Sequence, residues 1–437
     1  MTRFNAFDAA GWPDRSAENL LVRLANAAIQ AATPAACIPS VVAQVFPAPP
    51  AGRTLVFGAG KASAQMAAAF EEAYPWPVEG FVVTRTGFGC ETRSVQVMEA
   101  SHPLPDATST KAGRTVLEAM GSATGDDRVV FLLSGGCSSL IFTPAPGLEH
   151  NQVWRITLIA STGIPESSKR DKNRQTLSLT GGGKLAAACP GHLTTLAISD
   201  VAGDRPEDIG SAPTTYPTRI TDEILKQLKQ LLPDTDSDIL SFLKRSQTCR
   251  HPRVQAAADA FHIVASSRKA INCAADLVQR SIIGEITCIQ DVTGDVACVV
   301  EHHATLAETL VQSGKPTLIL SGGELTVSVN PKSIPGAKGG PNQEYALRLC
   351  RALHQKGIRA TILSIDTDGI DGRGDAAGAL VSTDAYKDLL RKDIDVDKLL
   401  KCNESYRALD AINALLRPGP TGTNVNDFRA VLLSGAQ

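Results

Sequence analysis

Aromatic residues make up only 5% of this 437-residue chain, and no apolar run is long enough to span a membrane as a helix. The opening MTRFNAFDAAGWPDR lacks the apolar centre of a secretory signal. Formal net charge is −2, so no excess of one sign points to nucleic acid or an anionic membrane surface. The 10 cysteines include no Cys-x-x-Cys pair and no Cys/His zinc pattern. Neither a metal finger nor a disulfide framework fits that scatter. The expectation is a cytoplasmic protein with reduced thiols, acting on small molecules as a monomer or homodimer.

What is present is globular. Hydrophobic residues reach 43% and charged residues 20%, enough to build two cores in a chain of this length. Apolar β-branched runs (TLVFGAG, GFVVTR, DRVVFLLSGG, LTTLAISD, PTLILSGGELTVSV, ATILSID, AVLLSG) alternate with Ala- and Leu-rich helical stretches. Continuous apolar strands followed by helices predict an α/β fold with parallel sheets covered on both faces. A boundary is expected near 245–260, where LKRSQTCRHPRVQ interrupts two helical stretches, giving domains at 15–245 and 255–437. The stretch 214–237 reads as loops around a short helix.

Glycines gather where the predicted strands end, which is where open α/β sheets bind ligands. FGAGKAS (57–63) opens a helix and sets Lys61 at its positive end, where a cation needs an anion nearby. The run is neither a P-loop nor a full dinucleotide fingerprint, since Ser63 stands at the third glycine position. LLSGGCSS (132–139) and LTGGGKLAA (179–187) repeat the pattern, and SGG closes a strand again at 321–323. GAKGGPNQEYAL (336–347) either turns the chain or presents backbone N–H groups to an anion at a helix start. Acids follow the same strands: Asp200 and Asp204; Glu324; Asp366, Asp368, Asp371 and Asp375; and Asp427 beside Asn424 and Asn426. Oxygen ligands beside phosphate-binding loops suit Mg²⁺–nucleotide chemistry, whereas Asp-Gly pairs also simply make turns. The EF-hand register fails in DTDGIDGRGD. His102, in SHPLPD, is either a turn residue or a group that orients substrate or takes a proton.

Together these motifs resemble the class II glycerate kinases, whose C-terminal part is the MOFRL domain. FGAGKASAQMA, SHPLPDATST, FLLSGGCSSL, LSLTGGGKLA, SDVAGDRPEDIGSAP, LILSGGELTV, GGPNQEYAL, DTDGIDGRGDAAGA and GPTGTNVND carry the resemblance in order along nearly the whole chain. It implies a Rossmann-like N-terminal domain, a smaller C-terminal α/β domain and an active site between them. It also implies transfer of the γ-phosphoryl of ATP, with Mg²⁺, to the 2-hydroxyl of D-glycerate. The sequence departs from the family pattern at Pro341, where an arginine is usual, and over 171–176, which keeps only Arg174 of a basic motif.

In that reading Lys61 neutralises the transferring phosphoryl or the substrate carboxylate. Asp200 or Asp204 accepts the hydroxyl proton or holds Mg²⁺, and Arg174 holds the carboxylate. The backbones of Ser134, Gly135 and Gly136, and of 339–340, cradle phosphates. Ser138, Gly322, Gly323, Glu324, Gly340, Asn342, Asp368 and Asn424 complete the nucleotide side. Lys338, Lys172 or Lys184 is expected to replace the lost arginine. The alternatives are a member acting on a larger sugar acid or without glycerate kinase activity, and a nicotinamide-dependent hydroxypyruvate reductase.

Overall fold

The computed structural model describes residues 16–145, 175, 177–216, 226, 251–278, 283–330 and 336–434. The chain forms two units, Pro34–Val264 and Met1–Thr33 with Ala265–Gln437. The first helix, α1 (Ser16–Ala32), therefore belongs with the C-terminal unit although it precedes the other one in sequence. It buries Leu21, Leu24, Ala25, Ala28 and Ile29. Sequence order alone, which starts the first domain at 15, gives no sign of this.

The unit 34–264 runs α2 (Pro34–Val45), β1 (Thr54–Ala59), α3 (Ser63–Ala73), β2 (Glu79–Arg85), β3 (Gln96–Ala100), α4 (Ala107–Gly121), β4 (Arg128–Leu133), α5 (Cys137–Leu140), α6 (Lys184–Ala188), β5 (His192–Ile198), α7 (Pro252–Asp259) and β6 (Phe261–Ala265). The sheet order is β3-β2-β1-β4-β5-β6. The pairs β1–β2, β1–β4, β2–β3 and β4–β5 are all parallel. Strand β1 is buried at every position, as a strand covered on both faces must be. Leu55, Phe57, Val129, Phe131 and Leu133 pack in one core with Val116 and Met120 of α4.

The other unit adds α8 (Ser267–Asp276), β7 (Glu285–Ile289), β8 (Gly294–Asp295), α9 (Val296–Val311), β9 (Thr317–Gly323), β10 (Leu325–Thr326), α10 (Pro341–Gln355), β11 (Ala360–Asp366), β12 (Gly378–Ser382), α11 (Tyr386–Arg391), α12 (Val396–Lys401), α13 (Ser405–Asp410), β13 (Leu415–Leu416) and β14 (Asp427–Leu433). Its main sheet has the order β13-β12-β11-β14-β9-β7. Here the expectation of parallel strands is corrected. Strands β11, β12, β13 and β14 pair antiparallel, β14 pairs antiparallel with β9, and only β7–β9 is parallel. A strand buried on both faces reads as a continuous apolar run whichever way its neighbours point, so composition could not give direction. Ile319, Ile362, Val431 and Leu433 share a core with Val300 and Ala304 of α9 and Leu349 and Leu353 of α10.

The stretch Ala17–Val45 is apolar and long enough, by composition, to cross a bilayer. It is not one helix: α1 ends at Ala32 and α2 starts at Pro34. Helix α1 packs on α8 and β14, which accounts for its apolar face without a membrane.

Candidate active site

In the unit 34–264 the chain steps outward from β1 to β2 and β3, then returns to place β4 on the other side of β1. That reversal is the switch point at which open parallel sheets leave a crevice beyond their carboxyl ends. Lys61 follows β1 there, Ser134–Gly136 follow β4, His102 follows β3 and Asp200 follows β5.

The turn after β1 is closed by protein. The N–H of Gly60 donates to the Val83 carbonyl (3.1 Å), that of Lys61 to the Gly135 carbonyl (2.8 Å) and that of Ser63 to the Gly60 carbonyl (3.1 Å). The Ala62 N–H donates to Ser134 Oγ (3.0 Å). A dinucleotide-binding turn keeps such groups for the pyrophosphate; here none of these four is free. Gly60 adopts φ 144°, and a Cβ at this position would sit 2.0 Å from Ser134 Oγ. Gly60→Ala is therefore expected to cost about 2 kcal/mol or more through backbone strain and overpacking, read as a lower denaturant midpoint at unchanged slope.

The turn after β4 is different. The N–H groups of Gly135 and Gly136 have no protein acceptor among the described residues. Gly136 has φ 88°, and a Cβ there would lie 3.0 Å from His102 Nε2 and 3.5 Å from Lys61 Cγ. One bare glycine thus has the imidazole edge of His102 and the stem of Lys61 at its flank. Ser139 Oγ donates to the Pro103 carbonyl (2.8 Å), tying the His102 loop to α5, which also carries Ser138. Burial, with the nearby charge of Asp200 as a second cause, holds the Cys137 thiol well above its ordinary range. Asp200 accordingly belongs to the same neighbourhood. Asp204 stands one turn further on, half-buried and in the left-handed region at φ 52°. Among the described residues no group of three or more His, Cys, Asp or Glu could hold a metal on its own.

Lys184 does not replace the missing arginine. Its Nζ donates to the carbonyls of Gln175 (2.7 Å), Ser178 (2.7 Å) and Gly181 (3.3 Å), fastening the glycine run that it follows. Arg174 and Lys172 lie outside the described residues.

In the C-terminal unit four sequence motifs converge on Asn342, which is 1% exposed. Its Nδ2 donates to Asp427 Oδ1 (2.6 Å), and its Oδ1 accepts from Ser364 Oγ (2.6 Å). The backbone N–H groups of Asn342 and Gln343 donate to the two carboxylate oxygens of Asp371 (3.1 and 2.9 Å). Gln343 Nε2 adds a third bond to that carboxylate (3.0 Å). Asp427 Oδ2 accepts from the Leu325 N–H (3.1 Å) and from Arg429 Nη1 (2.8 Å). The start of α10 is thus taken by the protein's own acid. Pro341 sits at its first position, where a missing N–H costs little.

Of the expected phosphate cradle at 339–340, one N–H is taken by the protein itself. The Gly339 N–H donates to the Arg373 carbonyl (3.1 Å), and Gly340 is glycine because a Cβ would come within 2.4 Å of the Asp371 carboxyl carbon. Gly322 and Gly323 do not form a loop either: both lie in β9, paired with Phe428 and Asp427 of β14. Asn342 is wholly engaged inside the unit. Asn424 Oδ1 accepts the Asn426 N–H (3.1 Å), and Asp368 Oδ1 accepts the Ile370 N–H (2.9 Å), both turn-making bonds. Glu324 is exposed just beyond β9. Lys338 lies over the Tyr406 ring, 5.3 Å from its centre.

Burial, with the charge of Asp427 as a lesser cause, pushes Asp371 up to about 7. An unfolded aspartate releases its proton near pH 4, so the native state binds the extra proton between about 4 and 7. This group's contribution to stability is therefore lost as pH rises through that window. His303, held down to about 4 by burial and by Arg429, acts in the opposite sense as pH falls below its ordinary range. Comparison of Asp371→Asn with the parent isolates the aspartate: melting temperatures from pH 4 to 8 should fall less steeply for the variant.

The arginine at 429 was invisible to motif reading. It is 0% exposed, with Nε donating to Ser321 Oγ (3.3 Å) and Nη1 to Asp427. Its position in an apolar strand, FRAVLL, was the one available signal.

Residues 20–244 match the family DUF4147, described as a domain of unknown function, and residues 317–427 match the MOFRL family. A glycerate 2-kinase from Pyrococcus horikoshii is 33% identical over 86% of this chain and 86% of its own. A protein of Agrobacterium vitis with the provisional name hydroxypyruvate reductase is 37% identical over 97% of this chain and 96% of its own. The crystal structure of a glycerate kinase from Thermotoga maritima superposes with a TM-score of 0.81 at 30% identity, covering 95% of this chain and 99% of that one.

Proposed function

From the premise that the chain belongs to the family joining a DUF4147 domain to a MOFRL domain, with the glycerate kinases among its members, we propose that it is a phosphotransferase acting on an alcohol group. The donor is ATP with Mg²⁺, and the acceptor is the 2-hydroxyl of D-glycerate or of a closely related hydroxy acid.

The observation that carries this reading is the gathering of Lys61, His102, the two free N–H groups of Gly135 and Gly136, and Asp200 at the switch point of the parallel sheet. Phosphoryl transfer needs positioned donors and charge neutralisation more than a nucleophilic side chain. The free N–H groups and the Lys61 ammonium bind and orient phosphoryl oxygens. A carboxylate at Asp200 takes the proton of the attacking hydroxyl. The donor set also fits Mg²⁺, which keeps most of its waters and uses one or two carboxylates together with substrate phosphates. Asp204 would hold it with the substrate phosphates, leaving Asp200 as the base, and the ion would supply neutralisation of phosphate charge.

A hydride transfer reading meets the closed turn at 60–63, where the N–H groups that a pyrophosphate needs are already spent. The test is ADP release from Mg·ATP with D-glycerate, L-glycerate, erythronate and threonate, run beside NADH oxidation with hydroxypyruvate. Turnover of an acid with no change at 340 nm is the expected result. Turnover of only the four-carbon acids moves the substrate and keeps the chemistry; NADH oxidation without ADP release overturns the proposal.

A further inference from the structure

The loop after β3 carries His102, and its backbone is fastened on both sides of that residue. The Ser101 carbonyl accepts from Ser109 Oγ of α4 (3.4 Å), and the Pro103 carbonyl accepts from Ser139 Oγ of α5 (2.8 Å). Asp106 closes the far end of the loop as the cap of α4, its Oδ1 accepting the N–H groups of Thr108 (2.8 Å) and Ser109 (3.2 Å). The imidazole is thus held in place from its own backbone, by the two elements that flank the turn after β4.

That loop presents one edge of the ring. His102 Nδ1 is buried, while Nε2 and Cδ2 both lie 3.0 Å from the point where a Cβ on Gly136 would stand. Lys61 Cγ lies 3.5 Å from the same point. Gly136 is left-handed at φ 88°, and its N–H and that of Gly135 have no protein acceptor among the described residues. Backbone N–H groups, an ammonium stem and an imidazole edge therefore meet at one turn, all of them within the unit 34–264. An imidazole carries a proton on Nε2 in its charged form and in one of its two neutral tautomers, so it donates there at neutral pH.

We propose that His102 is a catalytic residue whose Nε2–H donates to an oxygen of the phosphoryl group in transfer, beside the N–H groups of Gly135 and Gly136. The role rests on the phosphotransfer reading and adds a directional donor to it. The Lys61 ammonium is a compact charge that neutralises from many directions. A ring N–H fixes one oxygen along one line and so helps to hold the phosphorus in line with the attacking hydroxyl. Asp200 remains the group that takes the hydroxyl proton.

The experiment compares the parent with His102→Gln and His102→Ala, both shown to be folded by circular dichroism. A glutamine amide restores an N–H near the place of Nε2 but takes no proton, so it rescues a donor and not a base. Alanine removes both functions. The expected kcat is about a hundredfold lower in His102→Ala and within about tenfold of the parent in His102→Gln, with KM for the acid nearly unchanged in each. A second readout needs no turnover. In a nitrogen-15 spectrum of the parent, the His102 Nε2 signal is picked out from those of the 8 histidines by its loss in His102→Gln. It should move on saturation with Mg·ATP, and Mg·ADP, which lacks the γ-phosphoryl, should not reproduce that shift.

Near-parent kcat in His102→Ala overturns the proposal. Equal losses in the two variants also overturn it, because they make His102 a base. A signal that Mg·ATP leaves in place, or that Mg·ADP moves equally, does the same and decides the matter if His102→Ala does not fold. A parent that turns over no hydroxy acid overturns the phosphotransfer reading and this role with it. Turnover by the parent with an unimpaired alanine variant overturns this role alone.

Discussion

Lys61→Ala should lower kcat/KM by about a thousandfold or more, the scale seen when a positioned donor or cation is removed from a developing phosphoryl charge. The fold should survive. Lys61 is half-buried, and its backbone N–H, which donates to the Gly135 carbonyl, is untouched by the change. The stem passes beside Gly136, so truncation removes the ammonium from a turn whose Gly135 and Gly136 N–H groups have no protein acceptor among the described residues. Lys61→Arg tests whether charge alone suffices. A guanidinium is larger and forked, and beside a glycine whose Cβ position is already crowded by His102 it should restore only part of the loss. Steady-state kinetics on folded protein decides this, and activity within tenfold of the parent for Lys61→Ala would remove the lysine from the mechanism.

Asp427→Ala should destabilise the C-terminal unit by about 3–5 kcal/mol, since it strands a fully buried guanidinium without its counter-charge. The same change takes away the shorter bond of the Asn342 amide, leaving it only Asp371 Oδ1 at 3.4 Å, and strands the buried Leu325 N–H without its acceptor. Denaturant unfolding followed by far-ultraviolet circular dichroism measures it. Burial raises the pKa of Asp427, and the Arg429 guanidinium opposes that rise, so the pair stands or falls together. Asp427→Ala combined with Arg429→Met should recover part of the lost stability, because no bare charge is then left inside. A single variant that unfolds within 1 kcal/mol of the parent, on the order of an exposed pair, would contradict the buried-pair account.

The sequence made the strands and their ligand-binding ends legible because those signals are local. TLVFGA, RVVFLL and HLTTLAI are apolar runs that stop at glycine or acid, and all three became parallel strands with Lys61, Ser134 and Asp200 just beyond them. The C-terminal sheet's direction was not legible, since β9 and β14 are buried on both faces and antiparallel. Long-range pairing leaves no trace in composition. The two SGG stretches show the same limit. At 134–136 the glycines leave the strand in a left-handed turn with free N–H groups, while at 321–323 they stay in the sheet beside Ser267 and Val292. The glycine-rich turn before α10 had the composition of an anion site. That its anion is Asp371, about thirty positions further along, depends on a tertiary contact that no spacing rule encodes.

Phosphorus NMR on protein and Mg·ATP, with D-glycerate and each of the other three- and four-carbon acids in turn, tests the central claim most directly. The account predicts that the γ-phosphoryl signal of ATP falls while a phosphomonoester signal of the acid rises in equal amount. Loss of the γ-signal to inorganic phosphate alone, or no change with any of the three- and four-carbon acids, would contradict it.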